Sequence, residues 1–314
     1  MRSIYVLGGL AWITITLTTA GAINHLAATA VNQPKSSSLD ATLVNEDSAP
    51  PLEKLVDVGG FRLHINCTGA GSPTVVLDAG LGVPSPTWSL VQPQVAKFTR
   101  VCSYDRAGIG KSDPGSIPRT SQQIATELHS LLNNAGIKGP YVMVGHSFGG
   151  LNVRLYTSQF PNEVVGMVLV DSSHEEQPPV DLAYDAKSLR WINFCRSLAQ
   201  SQIKASTKYP QGAYSQQQAA LYRDCSGSNG ELAAFKESQA QARATQDSFG
   251  DMPLVVLTHG LPPSSWWSAH EELARRSSKG THIVAERSGH FIQKDQPDLV
   301  SDAIYKVVEA ARQK

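Results

Sequence analysis

The sequence predicts an α/β protein: a mostly parallel twisted sheet with helices on both faces and a helical insertion late in the chain. Three observations carry that expectation. Short apolar runs at residues 74–77, 100–104, 141–144, 165–170, 254–257 and 281–285 are mostly separated by helix-like segments, and strands alternating with helices build a largely parallel sheet. Between residues 175 and 249 the alternation stops, in a stretch rich in Ala, Gln, Ser and Lys with no convincing strand. Finally, 41% of the 314 residues are hydrophobic, enough for a sizeable core and against collagen-like or disordered readings.

Taken in order, the chain opens with residues 4–23, which carry no charged side chain and follow a single Arg2. About 20 apolar residues suit a bilayer-spanning helix, while Ala20-Gly21-Ala22 and Ala28-Thr29-Ala30 offer small-residue cleavage patterns. Residues 1–30 are therefore expected to be a signal peptide or an N-terminal membrane anchor, and the polar stretch 31–51 a linker. Either alternative puts the folded part, residues 52–314, outside the cytoplasm, secreted or tethered to a membrane. Next, the strand-like runs 52–58 and 61–67 flank Gly59-Gly60, the signal of a hairpin. The insertion, bounded at about 175–250, carries two cysteines and Leu189, Trp191, Ile192, Phe194, Leu221, Tyr222 and Phe235, which argue against a disordered linker. In the last helix, about residues 297–312, Ile304, Val307, Val308 and Ala311 recur at helical spacing and read as core packing.

Charge narrows the partners. With 27 Lys and Arg against 27 Asp and Glu and no long run of one sign, the chain has no patch suited to nucleic acid. The four cysteines, Cys67, Cys102, Cys195 and Cys225, contain no C-x-x-C pair and no zinc-type spacing to a His. An even number in an exported chain points to two disulfides, the alternative being four buried thiols.

Chemistry is concentrated at Gly145-His146-Ser147-Phe148-Gly149. This G-x-S-x-G follows the strand-like run 141–144 and precedes a helix-like run from Leu151, the setting of a nucleophile elbow, whose serine occupies a tight turn that leaves no room for side chains two positions before and after. A serine hydroxyl needs a base, and His is the side chain suited to that near neutrality. Of nine His, His290 is favoured, because Ser288-Gly289-His290 follows the last strand-like run, and catalytic groups gather at the C-terminal edge of a parallel sheet. His146 reads as structural, and His129, His174, His259, His270 and His282 as surface or core. For the carboxylate that orients the base, Asp171 ends the run 165–170 and falls between Ser147 and His290, the expected order; Glu175, Glu176, Glu271 and Glu272 are the alternatives. Oxyanion donors are expected from the amide of Phe148, next after the serine, and from the glycine-rich loop after residues 74–77, where Leu81 is the candidate.

Gly80-Leu81-Gly82, Tyr104-Asp105-Arg106-Ala107-Gly108-Ile109-Gly110-Lys111-Ser112, Gly145-His146-Ser147-Phe148-Gly149 and Ser288-Gly289-His290, in this order, resemble the α/β-hydrolase superfamily in its esterase-like branch, over about residues 52–312. In that superfamily the Y-D-x-x-G-x-G-x-S stretch resembles a structural loop. Many members have His-Gly where this chain has Ala79-Gly80, and many place the acid after the penultimate strand, where this chain has none nearby; some relatives carry it after the strand preceding the cap, the position of Asp171. The resemblance further implies that the strand ending at Cys67 lies beside the one containing Cys102, compatible with a disulfide, and that Cys195 and Cys225 staple the insertion as a cap over the site. Trp266 and Trp267 would line the pocket or pack in core or surface. The expected activity is hydrolysis of a small-molecule carboxylic ester with no metal or organic cofactor, the alternatives being an amide, thioester or carbon–carbon bond on the same residues, or a noncatalytic binding role. A serine at the elbow argues against relatives that use an Asp nucleophile, the haloalkane dehalogenases and epoxide hydrolases.

Overall fold

A computed structural model describes residues 50–177, 227, 230–245, 248–260 and 264–313. The expected signal or anchor (1–30), the linker (31–51) up to residue 49, most of the insertion, and the Cys195–Cys225 pairing lie outside the described residues. No helix among the described residues is long and apolar enough to cross a membrane.

Eight strands form one sheet: β1 (Leu52–Asp57), β2 (Arg62–Thr68), β3 (Thr74–Asp78), β4 (Val101–Tyr104), β5 (Tyr141–His146), β6 (Val164–Val170), β7 (Leu254–His259) and β8 (Gly280–Ala285), in the order β1-β2-β4-β3-β5-β6-β7-β8. The pairs β1–β2 and β2–β4 are antiparallel and the remaining neighbours parallel. Gly59 and Gly60, at φ 114° and 98°, turn the hairpin through backbone that L side chains rarely adopt. The β2–β4 register sets Cys67 opposite Cys102, and the two are joined in a buried disulfide, as the resemblance implied.

The helices among the described residues include α1 (Gln92–Val95, a single turn), α2 (Ser121–Ala135), α3 (Phe148–Gln159), α4 (Phe235–Arg243), α5 (Ser264–Arg275), α6 (Ile292–Asp295, also one turn) and α7 (Pro297–Arg312). Side chains alternate across the strands, so each strand feeds two cores. On one face Val76, Met143, Met167 and Leu169 pack with Ile124, Leu128, Leu131, Leu151, Tyr156 and Phe235 from α2, α3 and α4. On the other, Val75, Leu77, Val142, Val144 and Val168 meet Trp88, Val95, Ile292, Val300, Ile304 and Val307. β5 is buried along its whole length, as a central parallel strand covered on both faces must be. The described part of the insertion is helical and packs α4 on α2 and α3.

Parallel strands end on a common edge, so the C-terminal ends of β3, β5, β6, β7 and β8 present their following loops side by side. Residues 79–82, 147–148, 171–175 and 286–290 occupy those loops or open the helices after them, with His259 at the very end of β7.

Candidate active site

Ser147 sits between the last residue of β5 and the first of α3, at φ 52° and ψ −120°, and is buried to 3% exposure. A β-carbon-bearing residue rarely adopts that backbone, and its surroundings hold it there. The Ser147 N–H donates to Val170 O at 3.1 Å, and its carbonyl accepts from Gly150 N at 2.9 Å and Ser173 N at 2.8 Å. The turn closes because its flanks are bare. A Cβ on Gly145 would stand 2.5 Å from Gly149 O, and one on Gly149 2.5 Å from Asp78 O.

Asp171 follows β6 at φ 44°, the second non-glycine residue at positive φ among the described residues, and its own N–H donates to Leu257 O at 2.8 Å. Its carboxylate is fully buried and accepts from four N–H groups. His290 Nδ1 lies 2.6 Å from Oδ2, His259 Nδ1 2.8 Å from both oxygens, and the His259 N–H and Trp266 Nε1 donate to Oδ1 at 3.1 and 3.0 Å. Burial alone would push this carboxyl up, but the bonds from His259 and His290 outweigh it and hold it far below the usual carboxylate range. Asp171 is therefore an anion in the folded protein.

His290 is held from a second side. His146 is fully buried and its Nε2–H donates to His290 O at 2.9 Å, with the two rings 4.7 Å apart. Burial, seconded by the neighbouring His290, pushes the His146 imidazole down to about 3, so it stays neutral. His270 is a further buried neutral imidazole: its Nε2–H donates to Ser172 O, its Nδ1 accepts from Thr258 Oγ1, both at 2.7 Å, and burial lowers it to about 4.

The 79–82 loop lies against the serine. A Cβ on Gly80 would come within 2.9 Å of His146 Nδ1 and 3.4 Å of the Ser147 Cβ. The Ala79 and Gly80 carbonyls both accept from the buried Arg106 guanidinium, at 2.8 and 2.7 Å. In a trans peptide the N–H points opposite to the carbonyl, so the amides of Gly80 and Leu81 face away from Arg106. Phe148 is the first residue of α3, where backbone N–H groups have no intrahelical acceptor. Together these provide amide donors and the positive end of a helix beside Ser147.

Asp171 and His290 thus meet directly, and Ser147, Phe148 and the Leu81 loop share their edge of the sheet. The other candidate acids bond elsewhere: Glu175 to Arg154 and Arg276, Glu176 to Arg243, Glu271 to Arg275, and Glu272 to Arg276 and His174. Sequence reasoning missed His259, read as surface or core, and the hydrogen bond of Trp266. Their available signal was position, since His259 ends β7 and Trp266 follows it, next to β6 in the sheet. A cleft of about 520 Å³ is lined by His174, Glu175, Arg243, Trp266, Glu272 and Arg276 among others, but neither Ser147 nor His290 is among its described lining residues. Among the described residues no group of His, Cys, Asp and Glu converges as a metal ion would require.

Residues 75–303 match the model of the alpha/beta hydrolase family. The chain belongs to that family. It is 29% identical over 269 residues to the uncharacterized protein YqjL of Bacillus subtilis (strain 168), covering 83% of this chain and 94% of that protein. Among solved structures it is similar to a putative lipase from Acinetobacter baumannii AYE, with a TM-score of 0.65 and 19% identity over 84% of this chain and 92% of the other. It is also similar to the epoxide hydrolase CorEH, with a TM-score of 0.62 and 18% identity over 82% and 98%. At such identities these two likenesses show the fold, and the chemistry has to be argued from the residues.

Proposed function

We propose that this hydrolase-family protein is a serine esterase that cleaves carboxylic esters through an acyl-enzyme. The observation that carries the reading is the 2.6 Å contact between Asp171 Oδ2 and His290 Nδ1, beside a serine held at φ 52° between strand and helix. With Asp171 anionic, His290 carries its proton on Nδ1 and Nε2 serves as the base. Ser147 Oγ attacks the acyl carbon while Nε2 takes the hydroxyl proton, and the developing oxyanion is met by the amides of Leu81 and Phe148. Collapse expels the alcohol, which leaves with the proton from Nε2. Water then repeats the sequence on the acyl-enzyme, releasing the acid and restoring Ser147. The serine at the elbow favours this over the aspartate-nucleophile chemistry of epoxide hydrolases. Export, with residues 1–30 as signal or anchor, is part of the proposal and is supported by the uncharged run 4–23 and by the Cys67–Cys102 disulfide, a bond that persists in oxidising compartments.

The test is labelling by a fluorophosphonate, with wild type, Ser147→Ala, His290→Ala and Asp171→Asn compared on folded protein. Wild type is expected to label, Ser147→Ala not at all, and the other two slowly. A folded wild type that does not label refutes the reading in favour of a binding role, and a panel of p-nitrophenyl esters, anilides and thioesters identifies the bond cleaved.

A further inference from the structure

The buried ion cluster behind the 79–82 loop is built more strictly than packing requires. Arg106 is 1% exposed at its side chain and uses all five guanidinium N–H groups. Nε reaches Glu231 Oε1 at 2.6 Å; NH1 reaches Asp78 Oδ1 at 2.6 Å and Ala79 O at 2.8 Å; NH2 reaches Gly80 O at 2.7 Å and Glu231 Oε2 at 3.0 Å. Glu231 is fully buried and also accepts directly from Gly82 N at 2.8 Å. One carboxylate, brought in 125 residues along the chain from Arg106, therefore fixes the guanidinium on one side and the loop backbone on the other.

We infer that Glu231 is a positioning residue for the oxyanion donor, acting through Arg106 on the peptide between Gly80 and Leu81. The inference rests on the acyl-transfer reading proposed above. Its physical basis is the orientation of that peptide: with Gly80 O drawn to Arg106, the Leu81 N–H points the opposite way, and a peptide flip would lose the Arg106 bond along with the donor. Arg106 can hold this pose only while its own rotation is stopped, and the paired Nε and NH2 bonds to Glu231 are the fork that stops it. Burial of two carboxylates and a guanidinium is a poor way to gain stability, since apolar side chains of similar volume often do as well, so fixing one loop geometry is the better account of the cluster. Gly227 is seated on the neighbouring Y-D-x-x-G-x-G-x-S loop, its N–H donating to Gly108 O at 3.3 Å, so the end of the insertion reaches this loop as well as the donor loop.

The experiment uses the full chain and compares wild type with Glu231→Gln, normalised by fluorophosphonate titration of reactive serine. Expected are a fall in kcat of about tenfold or more on a p-nitrophenyl ester, KM within about twofold, and a parallel rise in Ki for a trifluoromethyl ketone, which adds to the serine to form a tetrahedral oxyanion. A purely structural role would lower Tm and leave kcat and Ki per titrated serine unchanged; that result overturns the inference. Should Glu231→Gln fail to fold, Glu231→Asp is read by the same two constants: a joint loss supports the inference and wild-type values overturn it. A folded wild type that neither labels nor turns over removes this inference together with the esterase reading, whereas an active wild type with an unaffected Glu231 variant removes this inference alone.

Discussion

Replacing Asp171 by Asn tests the site at the atom where the structure commits most. Asn offers one acceptor and one NH2 where the carboxylate offers two acceptors. If the NH2 takes the place of Oδ1, it faces the His259 N–H and the Trp266 indole N–H, at 3.1 and 3.0 Å in the wild type. Neither of those donors can become an acceptor, and leaving the two half-buried and unpaired costs about 1–3 kcal/mol each. If instead the NH2 replaces Oδ2, it faces the Nδ1 atoms of His290 and His259, at 2.6 and 2.8 Å, and an imidazole can adapt by moving its proton to Nε2. That second orientation is cheaper for the fold and ruinous for catalysis, because His290 with a proton on Nε2 cannot accept one from Ser147. The variant should therefore fold and lose about ten-thousand-fold in kcat, roughly 5.5 kcal/mol of transition-state stabilisation. The assay is ester turnover per titrated serine at pH 7, with a thermal melt to confirm folding. A loss of less than about tenfold would refute the assignment of Asp171 as the partner of the base.

Three further outcomes are expected. Acidification from pH 7 to 5 should destabilise the protein by roughly 2 kcal/mol for each of His146 and His270; both imidazoles are depressed on folding, to about 3 and about 4, so the stability each lends is present above the unfolded value near 6.5 and is lost as pH falls below it. Urea melts at the two pH values check this, and equal stabilities would contradict it; Asp171, depressed from 3.8, keeps its contribution over that interval. Gly149→Ala should cost about 1–3 kcal/mol and lower kcat, since its Cβ would lie 2.5 Å from Asp78 O and 2.6 Å from Ala79 O and would push the oxyanion loop aside; wild-type turnover would show that the loop yields freely. Replacing Cys67 and Cys102 together by Ala should lower stability by roughly 3–4 kcal/mol, the chain-entropy value for a separation of about 35 residues, while leaving kcat per titrated serine intact; an unchanged urea midpoint would contradict it.

How much could be read without the structure follows the range of the interactions involved. Elements whose signals are local were legible: the Gly59-Gly60 hairpin, the apolar runs that became β3 to β8, and the elbow, where Gly145 and Gly149 announce a close approach within five residues. Asp171 was legible because its place at the end of β6 is a statement about one strand. His259 and Trp266 were not, because their roles exist only once β6 and β7 lie side by side with Val170 opposite Leu257, a pairing between residues far apart in sequence. Glu231 was hidden for the same reason and more deeply, since a Glu in a polar, Gln-rich stretch reads as solvated surface and its burial depends on an arginine of a distant loop. Arg106 stood inside a motif read as a structural loop, and the structure adds that its side chain grips the loop that carries the Leu81 amide.

The pairing of β6 with β7 also bears on how such a site changes over generations. Both strands end at the same point in space, and the residue after β6 receives a hydrogen bond from the last residue of β7. The sheet therefore provides two addresses from which a single negative charge can reach one histidine. Here the carboxylate lives at the first and an imidazole, His259, at the second. A lineage carrying an acid at both addresses for a time could surrender either, so the charge can migrate between strands without an inactive ancestor in between.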